Sequence, residues 1–315
     1  MLNAALRTVL LQMAKSSRTR HLIETAPVSR SVVRRFVPGT EAADAVAATA
    51  QLERDGLLVT IDHLGEDTTD QGQADAVRAA YVDLLGRLSD AGLTAGGRAE
   101  VSLKLSAIGQ GLGADGPKRS TEHAHEICEA AAAAGTTVTL DMEDHSTTDA
   151  TLETLRQLRT DFGSVGAVLQ SYLHRTEGDC RDLAGEGSRV RLCKGAYDQP
   201  ASVAFKDKAD VDRSYVRCLK VLMAGQGYPM VATHDPRLID IAGALAVQNG
   251  RAQGTYEYQM LFGIRPDEQR RLAAVGEKVR VYLPYGQEWY GYLMRRMAER
   301  PANTAFFLRA LATKG

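Results

Sequence analysis

The chain has little of several features that mark specialised classes of protein. Its formal net charge is −1 over 315 residues, which gives no electrostatic reason to expect nucleic acid as a partner. No apolar run approaches the roughly 18 residues that a membrane span requires. With 44% hydrophobic and 24% charged residues, the composition is instead typical of a soluble globular protein with a large core.

Cysteines are few, and their spacing matches no metal or disulfide framework. Cys128, Cys180, Cys193 and Cys218 form no CxxC pair, and no histidine lies near them at zinc spacing. We therefore expect reduced thiols and a cytoplasmic protein. Signatures of hydrolases are missing as well, because the sequence has no HExxH motif and no recognisable nucleophile elbow.

The N-terminus is basic and amphipathic. Residues 1–20 contain four basic side chains and no acidic one, with leucines on one helical side, a pattern that also occurs in transit-like and membrane-surface helices. The apolar side continues into Val33 and Phe36, which favours helices that fold back on the body of the protein. We predict an N-terminal helical arm over residues 1–50.

From residue 57 onward, short apolar strands alternate with helices at a regular period. The predicted strands are 57–61, 99–105, 137–141, 166–170, 189–193, 228–233, 254–260 and 278–283. The helices between them are predicted near 73–91, 122–134, 148–160, 178–184, 211–224, 236–249 and 267–275. Eight strand–helix units over about 250 residues are typical of a (β/α)8 barrel, and they favour closure over a doubly wound open sheet. We predict an α/β fold with one TIM-like barrel over residues 51–315.

Functional side chains stand at the carboxyl ends of nearly all the predicted strands, where a barrel builds its site. Any one of them has a simpler explanation as a helix cap or a salt bridge, but the collection indicates a site rich in cations and amides. They are Asp62, Lys104, Asp141, Glu143, Gln170, Arg191, Lys194, His234, Gln259 and Tyr282. His63, His145 and His234 follow the first, third and sixth strands, but they are a weak metal set because barrel hydrolases need ligands at tighter, paired spacing. A metal-dependent hydrolase that uses Asp62, His145, His234 and Asp235 is a rival interpretation.

The last predicted strand leads into a helix with one unusual face. Tyr292, Arg295, Arg296 and Glu299 fall at helical offsets of three and four, so they share this face. Such a face is more often a solvated surface, but the preceding strand aims the helix start at the rim of the sheet. Because arginine forks match a carboxylate, the stretch predicts a pocket for a small acid.

Taken together, these segments resemble the proline dehydrogenase family. The matching blocks occur in family order and cover most of the chain from residue 57. They are 103–107 (LKLSA), 140–143 (LDME), 169–173 (LQSYL), 191–197 (RLCKGAY), 232–234 (ATH), 258–263 (YQMLFG) and 282–299. The RLCKGAY block and the Tyr-x-x-Arg-Arg-x-x-Glu block at 292–299 are the most specific of them.

The resemblance implies a distorted barrel that holds FAD non-covalently and oxidises L-proline to Δ1-pyrroline-5-carboxylate, the first step of proline degradation to glutamate. Hydride would pass from proline C5 to flavin N5. By the same resemblance, Lys104, Arg295 and Arg296 would bind the substrate carboxylate. The pyrrolidine ring would pack against Tyr282, Tyr292, Leu261, Ala196 and Tyr197. Positions that match flavin contacts are Asp141, Met142, Gln170, Arg191, Cys193, Lys194, Gly195, Ala196, Thr233, His234, Gln259 and Glu299.

The resemblance also implies partners. Electrons would pass to a quinone, with peripheral contact at the inner face of the membrane, for which the basic N-terminal helix is a candidate. A separate pyrroline-5-carboxylate dehydrogenase would act downstream, because no aldehyde dehydrogenase region accompanies the barrel.

Some positions depart from the family pattern. Asp198 stands where an aromatic is common, Asp235 where Asn is common, Cys193 where Val is typical, and Arg300 where Asn is usual. In the family, members that prefer hydroxyproline tend to lack the tyrosine at position 282, whose hydroxyl would crowd the additional hydroxyl group, so the resemblance implies that Tyr282 favours proline. A flavin barrel acting on hydroxyproline or a folate, the metal-dependent hydrolase, and an inactive barrel that serves as a binding module remain alternatives.

Overall fold

The strands close into a barrel. The structure, a computed structural model, describes residues 33–66 and 68–299, with side chains only as far as Met294. Eight parallel strands follow one another in chain order, and the last pairs with the first. The strands are β1 (Leu58–His63), β2 (Ala99–Leu103), β3 (Val138–Leu140), β4 (Gly166–Gln170), β5 (Arg189–Cys193), β6 (Tyr228–Ala232), β7 (Glu257–Leu261) and β8 (Val279–Tyr285). The predicted TIM-like barrel is confirmed.

Helices cover the outside of the barrel. They are α1 (Ala42–Arg54), α2 (Gln71–Asp90), α3 (Gly116–Ala133), α4 (Thr148–Asp161), α5 (Thr176–Asp182), α6 (Lys208–Ala224), α7 (Pro236–Gln248), α8 (Pro266–Ala274) and α9 (Trp289–Glu299). Aspartates begin several of them: the side chains of Asp70, Asp207 and Asp235 each accept a backbone N–H of the first turn.

Most predicted boundaries lie within about three residues of the observed ones, α3 differs more, and the predicted N-terminal arm falls partly outside the structure. Helix α3 begins at Gly116 rather than near residue 122, because Pro117 has no N–H to lose and suits a first helical turn. Of the predicted N-terminal arm, residues 1–32 lie outside the described residues. Helix α1 covers position 50, where the arm was expected to end, and its Ala45 and Leu52 pack in the main core.

The two faces of the strands differ in chemistry. Side chains such as Val59, Val101 and Val281 are fully buried and belong to the apolar core between barrel and helices. Alternate residues point the other way, and in this chain many of them are polar. The interior of the barrel is therefore a hydrogen-bonded polar layer rather than the packed branched side chains that barrels commonly contain.

Ion pairs fill the interior. Glu100, which is 0% exposed, lies 2.6 Å from Arg189 Nη2 and 3.8 Å from Arg280 Nε. Glu257, also 0% exposed, lies 2.8 Å from Arg280 Nε. Burial alone would raise the pKa of Glu100, but Arg189 and Arg280 outweigh it and lower this pKa to about 2. The buried charges thus compensate one another, which avoids the large cost of an unpaired charge.

Candidate active site

A buried ammonium group lies at the centre of the C-terminal mouth of the barrel. Lys104 follows β2 and is 9% exposed. Its Nζ lies 2.8 Å from Asp62 Oδ2, on β1, and 3.3 Å from Asp141 Oδ2, just after β3. The same nitrogen lies 3.2 Å from the hydroxyl of Tyr282 on β8. The three N–H donors of Lys104 therefore each have a partner.

Tyr282, on β8, contacts Lys104, Asp141 and the side chain of Arg191 on β5. Its hydroxyl donates to Asp141 Oδ2 at 2.7 Å, while it accepts from Lys104. The cation of Arg191 lies 5.3 Å from the centroid of the Tyr282 ring, within the range of a cation–π contact. The tyrosine ring is thus held between two cations and one carboxylate.

Arg191 is fixed by hydrogen bonds from three strands. Its Nη1 donates to Asp141 Oδ1 at 2.7 Å and to Ser102 Oγ at 2.9 Å, and its Nε donates to Gln259 Oε1 at 2.5 Å. The amide of Gln259 in turn donates to Glu257 Oε1 at 2.6 Å. A continuous network therefore runs from Lys104 through Asp141 and Arg191 to the ion pairs of the barrel interior.

The electrostatics keep this centre charged. Burial disfavours the ammonium of Lys104, but Asp62 and the other neighbours outweigh it, so the pKa of Lys104 lies well above its usual value. Burial would likewise raise the pKa of Asp141, yet Lys104 and Arg191 hold it below its usual value. For Asp62 burial dominates, and its pKa is raised in spite of Lys104.

The residues predicted to contact a substrate ring are only partly described. Tyr292, on α9, is 5% exposed and packs in the same apolar cluster as the half-buried Leu261 at the end of β7. Ala196 is exposed and Tyr197 half-buried, in the loop after β5. Arg295, Arg296 and Glu299 belong to the last turns of α9, and their side chains lie outside the described residues.

Apart from Glu299 on α9, the residues predicted to contact flavin lie on β4, β5 and β7 or just after β3, β5 and β6. Met142 and Gln170 are buried, and the Gln170 amide donates to the backbone oxygen of Glu143 at 2.7 Å. Cys193 Sγ lies 3.6 Å from the oxygen of Leu169, and burial raises the pKa of this thiol to about 11.

The loops after β5 and β6 hold the other predicted flavin contacts. Lys194 Nζ lies 2.6 Å from Asp212 Oδ1 and 3.4 Å from Asp235 Oδ2. Thr233 Oγ1 accepts the backbone N–H of Asp235, and His234 Nε2 accepts that of Leu261 at 2.9 Å. These side chains belong to the loops that shape the mouth.

Gly195 lies in a tightly packed turn after β5. Its φ of +105° is left-handed, and a Cβ there would lie 2.4 Å from the ring of Tyr172. Only glycine fits this turn, because the Tyr172 ring occupies the space that a side chain would need.

Several participants were missed by the sequence interpretation. Ser102 joins Asp141 and Arg191, and the Tyr81 hydroxyl donates to the backbone oxygen of Ser102 at 2.7 Å. Asp212 holds Lys194 from α6. The signal for Ser102 was its position two residues before Lys104, which puts both side chains on one face of the strand. Helical residues such as Tyr81 and Asp212 gave no such signal.

Comparisons with known proteins identify the family of this chain. The family profile described as "Proline dehydrogenase" matches residues 45–309. The proline dehydrogenase of Deinococcus radiodurans is 42% identical over 283 residues, which cover 89% of this chain and 90% of the relative. Proline dehydrogenase 1 of Bacillus subtilis is 37% identical over 286 residues, covering 91% of this chain and 92% of the relative.

A solved structure shares the fold. The proline utilization A protein of Bdellovibrio bacteriovorus, inactivated by N-propargylglycine, superposes with a TM-score of 0.80 at 22% identity over 86% of this chain. This chain spans 33% of that longer protein. The match of the profile and of the relatives over most of the sequence shows that the chain belongs to the proline dehydrogenase family.

Proposed function

We propose that this protein oxidises L-proline to Δ1-pyrroline-5-carboxylate with FAD as cofactor, the first step of proline catabolism. The observation that carries the proposal is the Lys104 ammonium, buried at the mouth of the barrel between Asp62, Asp141 and Tyr282. The chain's proline dehydrogenase relatives support the choice of substrate.

Binding of the substrate carboxylate would fall to Lys104, Arg295 and Arg296. A fixed ammonium and two guanidinium forks bind one carboxylate strongly and also define its orientation. Lys104 is suited to this task because its pKa is raised and it stays charged throughout the neutral range. To bind the anion it must share an N–H that now contacts Asp62, Asp141 or Tyr282, and the longest of these contacts is the one to Asp141.

The pyrrolidine ring would lie against apolar and aromatic side chains. Tyr282 and Leu261 line the strand ends, Tyr292 comes from α9, and Ala196 and Tyr197 come from the loop after β5. Such a wall excludes water from the carbon that is oxidised, and it favours the neutral amine, whose lone pair would drive the loss of hydride from C5.

The chain's donors fit a flavin. Arg191, Lys194 and Gln259 would supply cationic and amide donors for carbonyl and phosphate oxygens, and Gly195 is a further proposed contact. The remaining proposed contacts are Asp141, Met142, Gln170, Cys193, Ala196, Thr233, His234 and Glu299. The chemistry that bound FAD supplies is the acceptance of two electrons from proline, which suits a site without a nucleophile.

The proposed electron acceptor is a quinone, with peripheral contact to a membrane, and the proposed next enzyme is a separate pyrroline-5-carboxylate dehydrogenase. Within residues 33–66 and 68–299, none of the helices has the length and apolar character needed to cross a membrane. The basic residues of the predicted N-terminal helix, which could contact anionic lipid, lie outside the described residues.

The metal-dependent alternative lacks support. In the part of the chain that the structure describes, no three His, Cys, Asp or Glu side chains are grouped as metal ligands. Asp62 is bound to Lys104, Asp235 to Lys194 and Arg237, and His145 contacts Gln199 and Asp144. His234 Nε2 accepts the backbone N–H of Leu261, so the four residues of that set are engaged in separate contacts.

One measurement tests the proposal. The visible spectrum of the purified protein is recorded before and after anaerobic addition of L-proline, with trans-4-hydroxy-L-proline in a parallel sample. We expect a flavin spectrum that bleaches with proline and responds more slowly to hydroxyproline. A flavin spectrum that does not change when proline is added would contradict the assignment of proline as the substrate. A protein that binds no flavin when FAD is added would contradict the assignment of FAD as the cofactor.

A further inference from the structure

A short N-terminal segment crosses the C-terminal mouth of the barrel beside the proposed site. We call residues 33–40 the strap. It begins with a helical turn in which the Val37 N–H donates to the Val33 oxygen at 2.8 Å. Phe36 and Val37 are each only 1% exposed, although the segment lies before the first strand and outside the barrel core.

Apolar contacts join the strap to α9. Phe36 and Val37 form a buried cluster that is separate from the main core. Among the residues that the structure describes, the other buried members are Leu64, Ile264, Tyr290, Tyr292, Leu293 and Met294. Four of these six lie on α9, so the strap packs on the first two turns of that helix. Trp289, the first residue of α9, packs against the same cluster.

Backbone contacts fix the strap at two loops of the mouth. At Gly263, after β7, a Cβ would lie 1.8 Å from the Arg35 oxygen, so only glycine lets the strap approach this closely. After β8, the Gly286 N–H donates to the Gly39 oxygen at 3.3 Å. The strap therefore bridges the loops that follow β7 and β8, immediately before α8 and α9.

The cluster includes two side chains of the proposed substrate wall. Tyr292 is one of its buried members, and Leu261 packs against it. Helix α9 then continues to Arg295 and Arg296, which the proposed function assigns to the substrate carboxylate. Whatever fixes the first turns of α9 also sets the position of its last turns, because a helix of this length moves as a unit.

We propose that Phe36 is a positioning residue for substrate binding: through the strap it holds α9 in the orientation that presents Tyr292, Arg295 and Arg296 to proline. The inference rests on the proposed function for its kinetic readout. Without the Phe36 ring, the cluster retains a cavity and α9 samples more orientations. We expect weaker proline binding, whereas the chemical step in the bound complex changes little.

The experiment compares Phe36→Ala and Phe36→Leu with a matched control, all as FAD-loaded enzyme. Leu158→Ala is the control, because Leu158 is 1% exposed on α4 and belongs to the main core rather than to the strap cluster. Steady-state kinetics give KM and kcat for L-proline. Trp289 is the single tryptophan of the chain, so its emission reports directly on the start of α9.

For Phe36→Ala we expect a KM raised about tenfold, a kcat within about threefold of wild type, and a red-shifted Trp289 emission. Phe36→Leu should recover most of the KM. Leu158→Ala should lower thermal stability without moving either readout. If Phe36→Ala fails to fold, Val37→Ala removes fewer atoms from the same cluster and should shift both readouts in the same direction.

Three results would overturn the inference. They are an unchanged KM in the Phe36 variant, an unchanged Trp289 emission, or an equal rise of KM in Leu158→Ala. Failure of the proposed function looks different, because the wild-type enzyme itself would then not oxidise proline. In that case the emission of Trp289 alone still tests whether Phe36 holds the start of α9.

Discussion

Lys104 and Asp62 form a buried ion pair, with Nζ of the lysine 2.8 Å from Oδ2 of the aspartate. Asp62 is 1% exposed and Lys104 is 9% exposed, so water screens the pair poorly. The pair fixes the ammonium group at the mouth of the barrel before any substrate arrives. Such preorganisation lowers the entropic cost of binding an anion there.

Two single variants, each with one lysine replaced by methionine, should distinguish substrate binding from cofactor binding. Lys104→Met removes one charge-assisted hydrogen bond to the proline carboxylate, worth about 1.5–3 kcal/mol, so the KM for proline should rise roughly 10- to 100-fold. Lys194→Met, the matched change after β5, should instead raise the dissociation constant of FAD and leave the KM near wild type. Kinetics and flavin titration of both variants check this, and the reverse pattern would contradict both assignments.

The hydroxyl of Tyr282 should discriminate against hydroxyproline. In Tyr282→Phe the ring stays, but the hydroxyl that contacts Asp141 and Lys104 is lost. We expect the kcat/KM ratio of hydroxyproline to proline to rise about tenfold, since one group in a pocket contributes roughly 1–3 kcal/mol of selectivity. Tyr285→Phe, on the same strand, is the control, because the buried Tyr285 hydroxyl has no hydrogen-bond partner among the residues that the structure describes. A ratio that moves equally in both variants would assign the effect to packing.

Asp235 should weaken the binding of FAD. Its carboxylate lies 3.4 Å from Lys194 Nζ, so it competes with the flavin phosphates that we assign to this lysine. Asp235→Asn keeps a good N-cap for α7 and should tighten FAD binding several-fold, because a single charge near the surface contributes about 1 kcal/mol. Fluorescence titration of FAD measures the effect. Asp83→Asn is the control, because Asp83 forms an exposed ion pair with Arg87 on α2. This substitution should leave the affinity for FAD unchanged.

The order of the strands was predictable because it depends on local pattern. Eight apolar segments with short helical intervals leave few topologies, and strand ends in a closed barrel all meet at one rim. The partnership of Lys104 with Tyr282, 178 residues later, therefore followed in outline from topology. Their distance of 3.2 Å did not, because it depends on strand tilt and register.

The charged interior was harder to predict. Glu100, Arg189, Glu257 and Arg280 lie within predicted strands, where the usual expectation for a charged side chain is an exposed one. Each charge is compensated by a residue from another strand, so single segments carry no signal of the ion pair. The sequence indicated that the segment around Phe36 folds back on the body, but it did not indicate the partners on α9, which lie at the other end of the chain.

The Glu100 ion pairs should make the free energy of unfolding fall as the pH is lowered. Its folded-state pKa of about 2 lies below the value of 4.5 expected when unfolded, so its contribution is complete above pH 4.5 and is lost as pH falls towards 2. Between pH 5 and pH 3, the wild-type protein should lose about 2 kcal/mol of unfolding free energy from this group. Glu100→Gln, although less stable at neutral pH, should lack this part of the decline.

Urea unfolding at several pH values between 5 and 3 measures the difference, and Glu53→Gln provides a control of opposite sign. Burial raises the pKa of Glu53, so the folded state binds that proton more tightly and gains stability as pH falls. The unfolding free energy should therefore fall more steeply between pH 5 and pH 3 in Glu53→Gln than in wild type, and less steeply in Glu100→Gln. Equal slopes in Glu100→Gln and wild type would mean that the arginines of the interior do not hold this carboxylate ionised.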